Sequence, residues 1–235
     1  MKRFYKDVSI DADADGFAVL LDGKPVKTPA RNALRLPTRD LAEAVAAEWR
    51  GQGDEVLAIS MPLLRLSNTV IDGVAANRAE VETAILRFGE NDLLCYRAHQ
   101  PPDLHQRQAE GWDPLLDWAR QRLSAHMRVV DGIAHVDQSA DALAALREAL
   151  APYDAFTLGG LHVVASITGS LVLALAVAEG HISGARAFEL SRIDDLYQAE
   201  KWGADAEAIK RATALAHELD KAVELMAHIQ TDRAC

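Results

Sequence analysis

The stretch DADADG, residues 11–16, has the D-x-D-x-D-G opening of a calcium-binding loop. Such a loop needs a glutamate at its twelfth position for bidentate coordination, and helices on both flanks. Here the twelfth position is Asp22 and the flanks are strand-like. The stretch therefore reads as an acidic turn joining two strands. The eight histidines are scattered. None sits in H-E-x-x-H, no Cys or His pair has zinc spacing, and no metal site is expected. No G-x-x-x-x-G-K-[ST] occurs, which removes the P-loop and the nucleotide chemistry it supports. Thr168-Gly169-Ser170-Leu171 lacks the second glycine of a nucleophile elbow. Asp194 and Asp195 are adjacent, and neighbours on a helix point in different directions. These residues assemble no catalytic constellation, and no cofactor is expected.

One acid is out of place. In DDLYQAEKWG, residues 194–203, helical spacing puts Glu200 on the stripe of Ile193, Leu196 and Tyr197. Two readings compete. The carboxylate is hydrogen-bonded within the fold or reaches its edge, or it is a charged anchor in an apolar docking surface. The cost of burying an unpaired carboxylate favours the first on physical grounds alone.

The elements that must position these residues change character along the chain. The first part is β-rich. Strands are expected over residues 4–10, 17–21 and 24–28, with Asp22-Gly23 as a two-residue hairpin turn, and over 33–36. Thr38 caps a helix carrying Leu41, Ala44, Val45 and Trp49 and ending near Gly51. A strand over 56–59 and helices over 62–74 and 77–88 follow. QPPD, residues 100–103, is a cluster of breakers. Asp113-Pro114 reads as a cap and first helical residue, and residues 128–136 as a hairpin around Asp131-Gly132. From Ser139 the sequence is helical: 140–150, 154–167, 169–179, 183–202 with Ser183 as cap, and 205–228 with Asp205 as cap. The expected fold is α+β, an N-terminal α+β domain with a small antiparallel sheet (1–98) followed by a C-terminal all-helical domain (99–235).

Composition sets the outer bounds. The 235 residues, 49% of them hydrophobic and 26% charged, describe a folded chain able to bury a sizeable core. A net charge of −10 argues against nucleic-acid binding and against docking on anionic membranes. The most apolar window, residues 167–178, is too short to span a bilayer and reads as a buried helix. Cys95 and Cys235 are expected as free thiols in a reducing compartment. No signal peptide is read at the N-terminus.

Several separated blocks resemble one family, the assembly chaperones for the alpha subunit of the F-type ATP synthase catalytic head. They are RFYK (3–6), LDGKPVKTP (21–29), LRLPTRDLAEAVAAEW (34–49), MPLLRLSNTVID (61–72), LLCYRA (93–98), WDPLLDWA (112–119) and YQAEKWG (197–203). They cover most of the chain, in order. One departure is Leu64, where the family pattern leads one to expect threonine. The resemblance implies a protein that binds unassembled alpha subunits, prevents their aggregation and releases them as alpha and beta combine. It implies no enzyme activity, no membrane insertion and a monomer. It marks YQAEKWG as functional, with Glu200 at the family's acidic position and Tyr197, Gln198, Trp202 and Gly203 around it. Because RFYK begins at residue 3, a bacterial cytoplasm is expected, or the mitochondrial matrix for a mature eukaryotic form. Two alternatives remain at this stage. One is a small hydrolase or transferase with an interdomain cleft and Glu200 as general acid or base. The other is a scaffold with one permanent partner.

Overall fold

The computed structural model describes residues 1–132 and 134–230. Its strands are β1 (Val8–Asp13), β2 (Gly16–Leu21), β3 (Lys24–Pro25), β4 (Arg35–Leu36), β5 (Tyr96–Arg97) and β6 (Val130–Asp131). Its helices are α1 (Arg39–Arg50), α2 (Pro62–Thr69), α3 (Arg78–Glu90), α4 (Pro102–Leu123), α5 (Ala140–Leu150), α6 (Ala155–Thr168), α7 (Leu171–Ala178), α8 (Gly184–Ser191), α9 (Ile193–Trp202) and α10 (Ala206–Gln230). The architecture is α+β, with a small antiparallel sheet near the N-terminus and helices after it. The chain forms two compact units. One holds residues 1–78, 154–160 and 221 onward; the other holds residues 79–153 and 161–220.

In the first unit β2 pairs antiparallel with β1, β3 and β4. DADADG is an acidic turn, as its flanks imply: Asp13 pairs with Gly16 across it, and the Asp13 carboxylate meets Arg35 at 2.6 Å. Asp22-Gly23 closes the β2–β3 hairpin, with Asp22 and Gly23 both at positive φ. One face of the sheet packs on α1, whose buried face is Leu41, Ala42, Val45, Ala46 and Trp49. The Thr38 hydroxyl caps α1, accepting from the Leu41 N–H, and donates to the His228 carbonyl at 2.9 Å. Helix α2 has Met61 at its cap position, which offers no side-chain acceptor. Glu48 substitutes, its two carboxylate oxygens accepting from the Leu63 and Leu64 N–H groups at 2.8 Å each. Burial pushes the Glu48 carboxyl up, against those same hydrogen bonds.

Two sequence expectations fail here. Residues 4–7 precede the strand, which begins at Val8; Tyr5 is buried and its hydroxyl donates to the Trp49 carbonyl. Residues 56–59 form no strand. The Gln52 side chain accepts from the Leu57 N–H at 2.8 Å, taking a donor that a ladder would use, and Ala58–Ser60 makes a single tight turn.

In the second unit the apolar window is the buried helix the sequence implies. All of α7 lies in the core. The Ser170 hydroxyl caps it, and the buried Asp92 carboxylate accepts from the Val172 N–H at 3.0 Å and the Leu94 N–H at 3.1 Å. Three expectations need correction. Asp113-Pro114 does not open a helix, because α4 starts at Pro102 and runs through Pro114. Asp113 instead pairs with Arg97 at 2.6 Å, and the Trp112 indole N–H donates to the Leu190 carbonyl at 2.9 Å. The expected hairpin over 128–136, in which Ile133 lies outside the described residues, is replaced by a parallel pairing of β6 with β5. The single helix expected over 183–202 is two, α8 and α9, broken at Arg192 (φ −111°, ψ 13°). Cys95 is buried, and burial pushes its thiol up to about 12; Cys235 lies outside the described residues.

Candidate functional site

YQAEKWG is the last part of α9 and the residue that ends it. The helix has two working faces. On one, its side chains meet α4. Tyr197 is 4% exposed, and its hydroxyl donates to Asp103 Oδ1 at 2.8 Å and Oδ2 at 2.9 Å. Lys201 Nζ lies 3.4 Å from the same carboxylate. Arg107 Nη1 donates to Glu200 Oε2 at 2.7 Å, and the Gln108 amide donates to Asp194 Oδ1 at 2.6 Å. The Arg107 guanidinium and the Lys201 ammonium each lie within 6 Å of the Tyr197 ring centre, at 5.3 and 5.1 Å. Positions 194, 197, 200 and 201 follow helical spacing, so one stripe of α9 carries all these contacts. Gly111 allows the close approach: a side chain there would lie 2.9 Å from Leu190 and Ile193.

The charges explain the shifts. Hydrogen bonding from Tyr197 is the main influence holding the Asp103 carboxyl below the usual range, and Lys201 adds to it. Burial and then Asp103 raise the Tyr197 phenol. Glu200 holds Arg107 above its ordinary value.

The other face of α9 borders a groove of about 570 Å³ lined by residues of α8, α9 and the start of α10. Its large apolar side chains are strongly exposed: Trp202 78%, Ile209 54% and Leu196 48%. Phe188 and several alanines add to the apolar wall, and Glu189, Arg192, Asp195, Gln198 and Asp205 line the groove as well. Gly203 makes the corner. Its φ of 92° and ψ of 151° fall in a region essentially reserved for glycine, and its N–H closes α9 on the Ala199 carbonyl at 2.9 Å. Asp205 then caps α10, accepting from the Ala208 N–H.

The five residues that the sequence singles out therefore divide. Gln198, Trp202 and Gly203 line the groove, whereas Tyr197 and Glu200 face α4. Glu200 is not buried on its stripe; its side chain is 53% exposed and ion-paired with Arg107. It borders an open hollow of about 290 Å³ with Glu110 and Glu189, and its carboxylate accepts from Arg107. Sequence reasoning missed Ile209, Ala208 and Phe188. The signal was present: Ile209 and Ala212 share a stripe with no obvious core partner. Among the described residues, no group of three or more His, Cys, Asp or Glu side chains is placed to hold a metal ion. Nor, among them, is any helix long and apolar enough to cross a membrane.

An exposed apolar groove fixed by polar clamps behind it has the character of a binding surface rather than of a catalytic centre. Comparison with known proteins agrees. The profile of a family described as ATP12 chaperone protein matches residues 2–120. Protein atp12, mitochondrial, of Schizosaccharomyces pombe is 24% identical over 245 residues, covering 96% of this chain and 84% of the yeast protein. The crystal structure of Atp12 from Paracoccus denitrificans superposes with a TM-score of 0.93 at 40% identity, covering 97% of both chains. A chaperone candidate from Agrobacterium tumefaciens gives the same TM-score at 42% identity, covering 97% of this chain and 86% of the other. The chain belongs to the ATP12 chaperone family, the ATP synthase assembly chaperones. YQAEKWG lies beyond the segment that the family profile matches.

Proposed function

We propose that this chaperone holds the unassembled alpha subunit of the F-type ATP synthase catalytic head, keeps it from aggregating, and gives it up as alpha and beta combine. The observation that carries the reading is the exposed groove of Leu196, Trp202 and Ile209. An unassembled subunit presents an apolar interface that would otherwise self-associate. A groove open to solvent covers such a surface at moderate affinity, which leaves the assembly partner able to displace it. The chain works by binding, as a monomer and without nucleotide or metal, in a bacterial cytoplasm or a mitochondrial matrix. Within this reading Trp202, Gln198 and Gly203 belong to the contact surface. Tyr197 and Glu200 are positioning residues that fix α9 against α4.

The test is suppression of alpha-subunit aggregation, followed by light scattering, with wild-type chain and with Trp202→Ala and Ile209→Asp. Both substituted residues are exposed, so folding is expected to survive. Loss of most of the suppression by both variants is the expected result. Full suppression by both would remove the groove from client binding. Failure of the wild-type chain to suppress aggregation would remove the alpha subunit as client.

A further inference from the structure

The first unit holds a second opening that the groove does not explain. It is a cleft of about 590 Å³ between the β2–β3 hairpin and the α1–α2 region. Four separated stretches of sequence meet there: Phe4 and Tyr5 from RFYK, the LDGKPVKTP loop, Trp49 at the end of α1, and Met61, Leu64 and Asn68 from MPLLRLSNTVID. The wall is mostly apolar, and Leu64 makes it more so than the threonine expected at that position. The loop is held in place from behind. Asp72 accepts from the Thr28 hydroxyl at 2.5 Å, the Asn32 amide at 2.9 Å and the Ala30 N–H at 3.1 Å.

The charge at the rim of the cleft points to the kind of occupant it suits. At the rim, Lys24 and Lys27 are exposed and form no ion pair among the described residues. The one acidic lining residue, Asp22, accepts from the Lys6 N–H at 2.9 Å and the Asp7 N–H at 2.8 Å. In a chain of net charge −10, this rim is locally basic.

We propose that the cleft binds an extended protein segment in which a large apolar side chain is flanked by a carboxylate. The apolar side chain enters between Phe4, Trp49 and Met61. The carboxylate meets Lys24 and Lys27. The chaperone then grips its client at two places, one on each unit. This second grip rests on the client-binding reading above but uses different residues.

The experiment uses the full chain and fluorescein-labelled, end-blocked decapeptides of random sequence, read by fluorescence anisotropy. Selected peptides are expected to join a large apolar residue to Asp or Glu. Their affinity should fall on the order of tenfold in Lys24→Glu/Lys27→Glu and weaken with added salt. It should stay unchanged in Trp202→Ala. Phe4 is 62% exposed, so Phe4→Ala tests the entrance without threatening the fold; it too should weaken binding. The proposal is overturned if no peptide binds, if the selected peptides are basic, or if affinity ignores the lysine pair and falls with Trp202→Ala. Aggregation suppression measured in parallel separates the two ideas. A chain that suppresses alpha-subunit aggregation but binds no such peptide loses only the cleft, whereas a chain that binds peptides but fails to suppress loses only the alpha-subunit reading.

Discussion

Helices α7 and α9 lie in the same unit and place their apolar residues in opposite ways. Every residue of α7, Leu171–Ala178, is buried. In α9 only Tyr197 is buried, while Leu196 and Trp202 stand in solvent. Helix α7 is held by packing on all sides, with Ser170 and Asp92 satisfying its first N–H groups. Helix α9 is held along one stripe by hydrogen bonds and ion pairs to α4, which leaves its apolar stripe unspent. The difference separates a helix that makes the fold from one that the fold presents to a partner.

The largest effect should come from emptying the packed helix. Leu173 is fully buried, and Leu173→Ala should lower stability by about 2–5 kcal/mol in urea or thermal unfolding. Trp202→Ala, an exposed residue of α9, should change stability by about 0.5 kcal/mol or less while impairing client handling. Equal losses of stability from the two would dissolve the contrast between the helices.

Next is the acid that caps α7. Burial pushes Asp92 up to about 6, from an ordinary 3.8, despite the hydrogen bonds it accepts. A carboxyl whose pKa is raised by folding adds stability at low pH. That contribution is full below about pH 4 and is lost as pH rises through about 6, a difference of roughly 3 kcal/mol. Calorimetry of wild type and Asp92→Asn between pH 4 and 7 should show this slope in the wild type and its flattening in the variant. Parallel profiles would mean that Asp92 does not titrate there.

These two helices also show where sequence suffices. The run of apolar residues in α7 is too short to span a bilayer and has one physical outcome, so burial is readable directly. Caps are equally local: Thr38, Ser183 and Asp205 each act within their own turn. What fails is anything set by a distant partner. Asp113 looks like a cap but is claimed by Arg97, and Pro114 then sits inside a helix it seemed to begin. The break at Arg192 has no proline or glycine to announce it. Glu200 does share a face with Tyr197, as its spacing requires, but the arginine it meets lies 93 residues earlier in the chain. The groove depends on the turn at Gly203 between α9 and α10; the stripe of Ile209 and Ala212 marks α10 as unpartnered, but periodicity within that helix does not say which residues of α8 and α9 line the groove with it.

A smaller effect is expected from loosening the α4 contact. Tyr197→Phe removes the hydroxyl that Asp103 accepts and leaves Lys201 as its neighbour. The destabilisation should be well below that of Leu173→Ala. Asp103 should move back up toward the ordinary carboxylate range, because its main lowering influence is gone. Carboxyl-carbon NMR titration reads this directly. An unmoved Asp103 would mean that the hydroxyl is not what clamps α9.

A small stability effect, comparable to that of Trp202→Ala, should belong to Glu200→Gln, and it sharpens the comparison most. The Arg107–Glu200 pair is short, 2.7 Å, but its side chains are 45% and 53% exposed. Solvent screens such a pair, and glutamine still offers Arg107 an acceptor, so the melting midpoint should move by about 2 °C or less. Its effect on client handling separates positioning from contact. If Glu200 acts by holding α9, Arg107→Gln should impair aggregation suppression as much as Glu200→Gln does, the double variant should add nothing, and both should fall short of Trp202→Ala. If Glu200 itself touches the client, its loss should exceed that of Arg107 and add to it in the double variant. That second pattern would make both faces of α9 contact surface, and the division between a clamped stripe and a presented stripe would no longer hold.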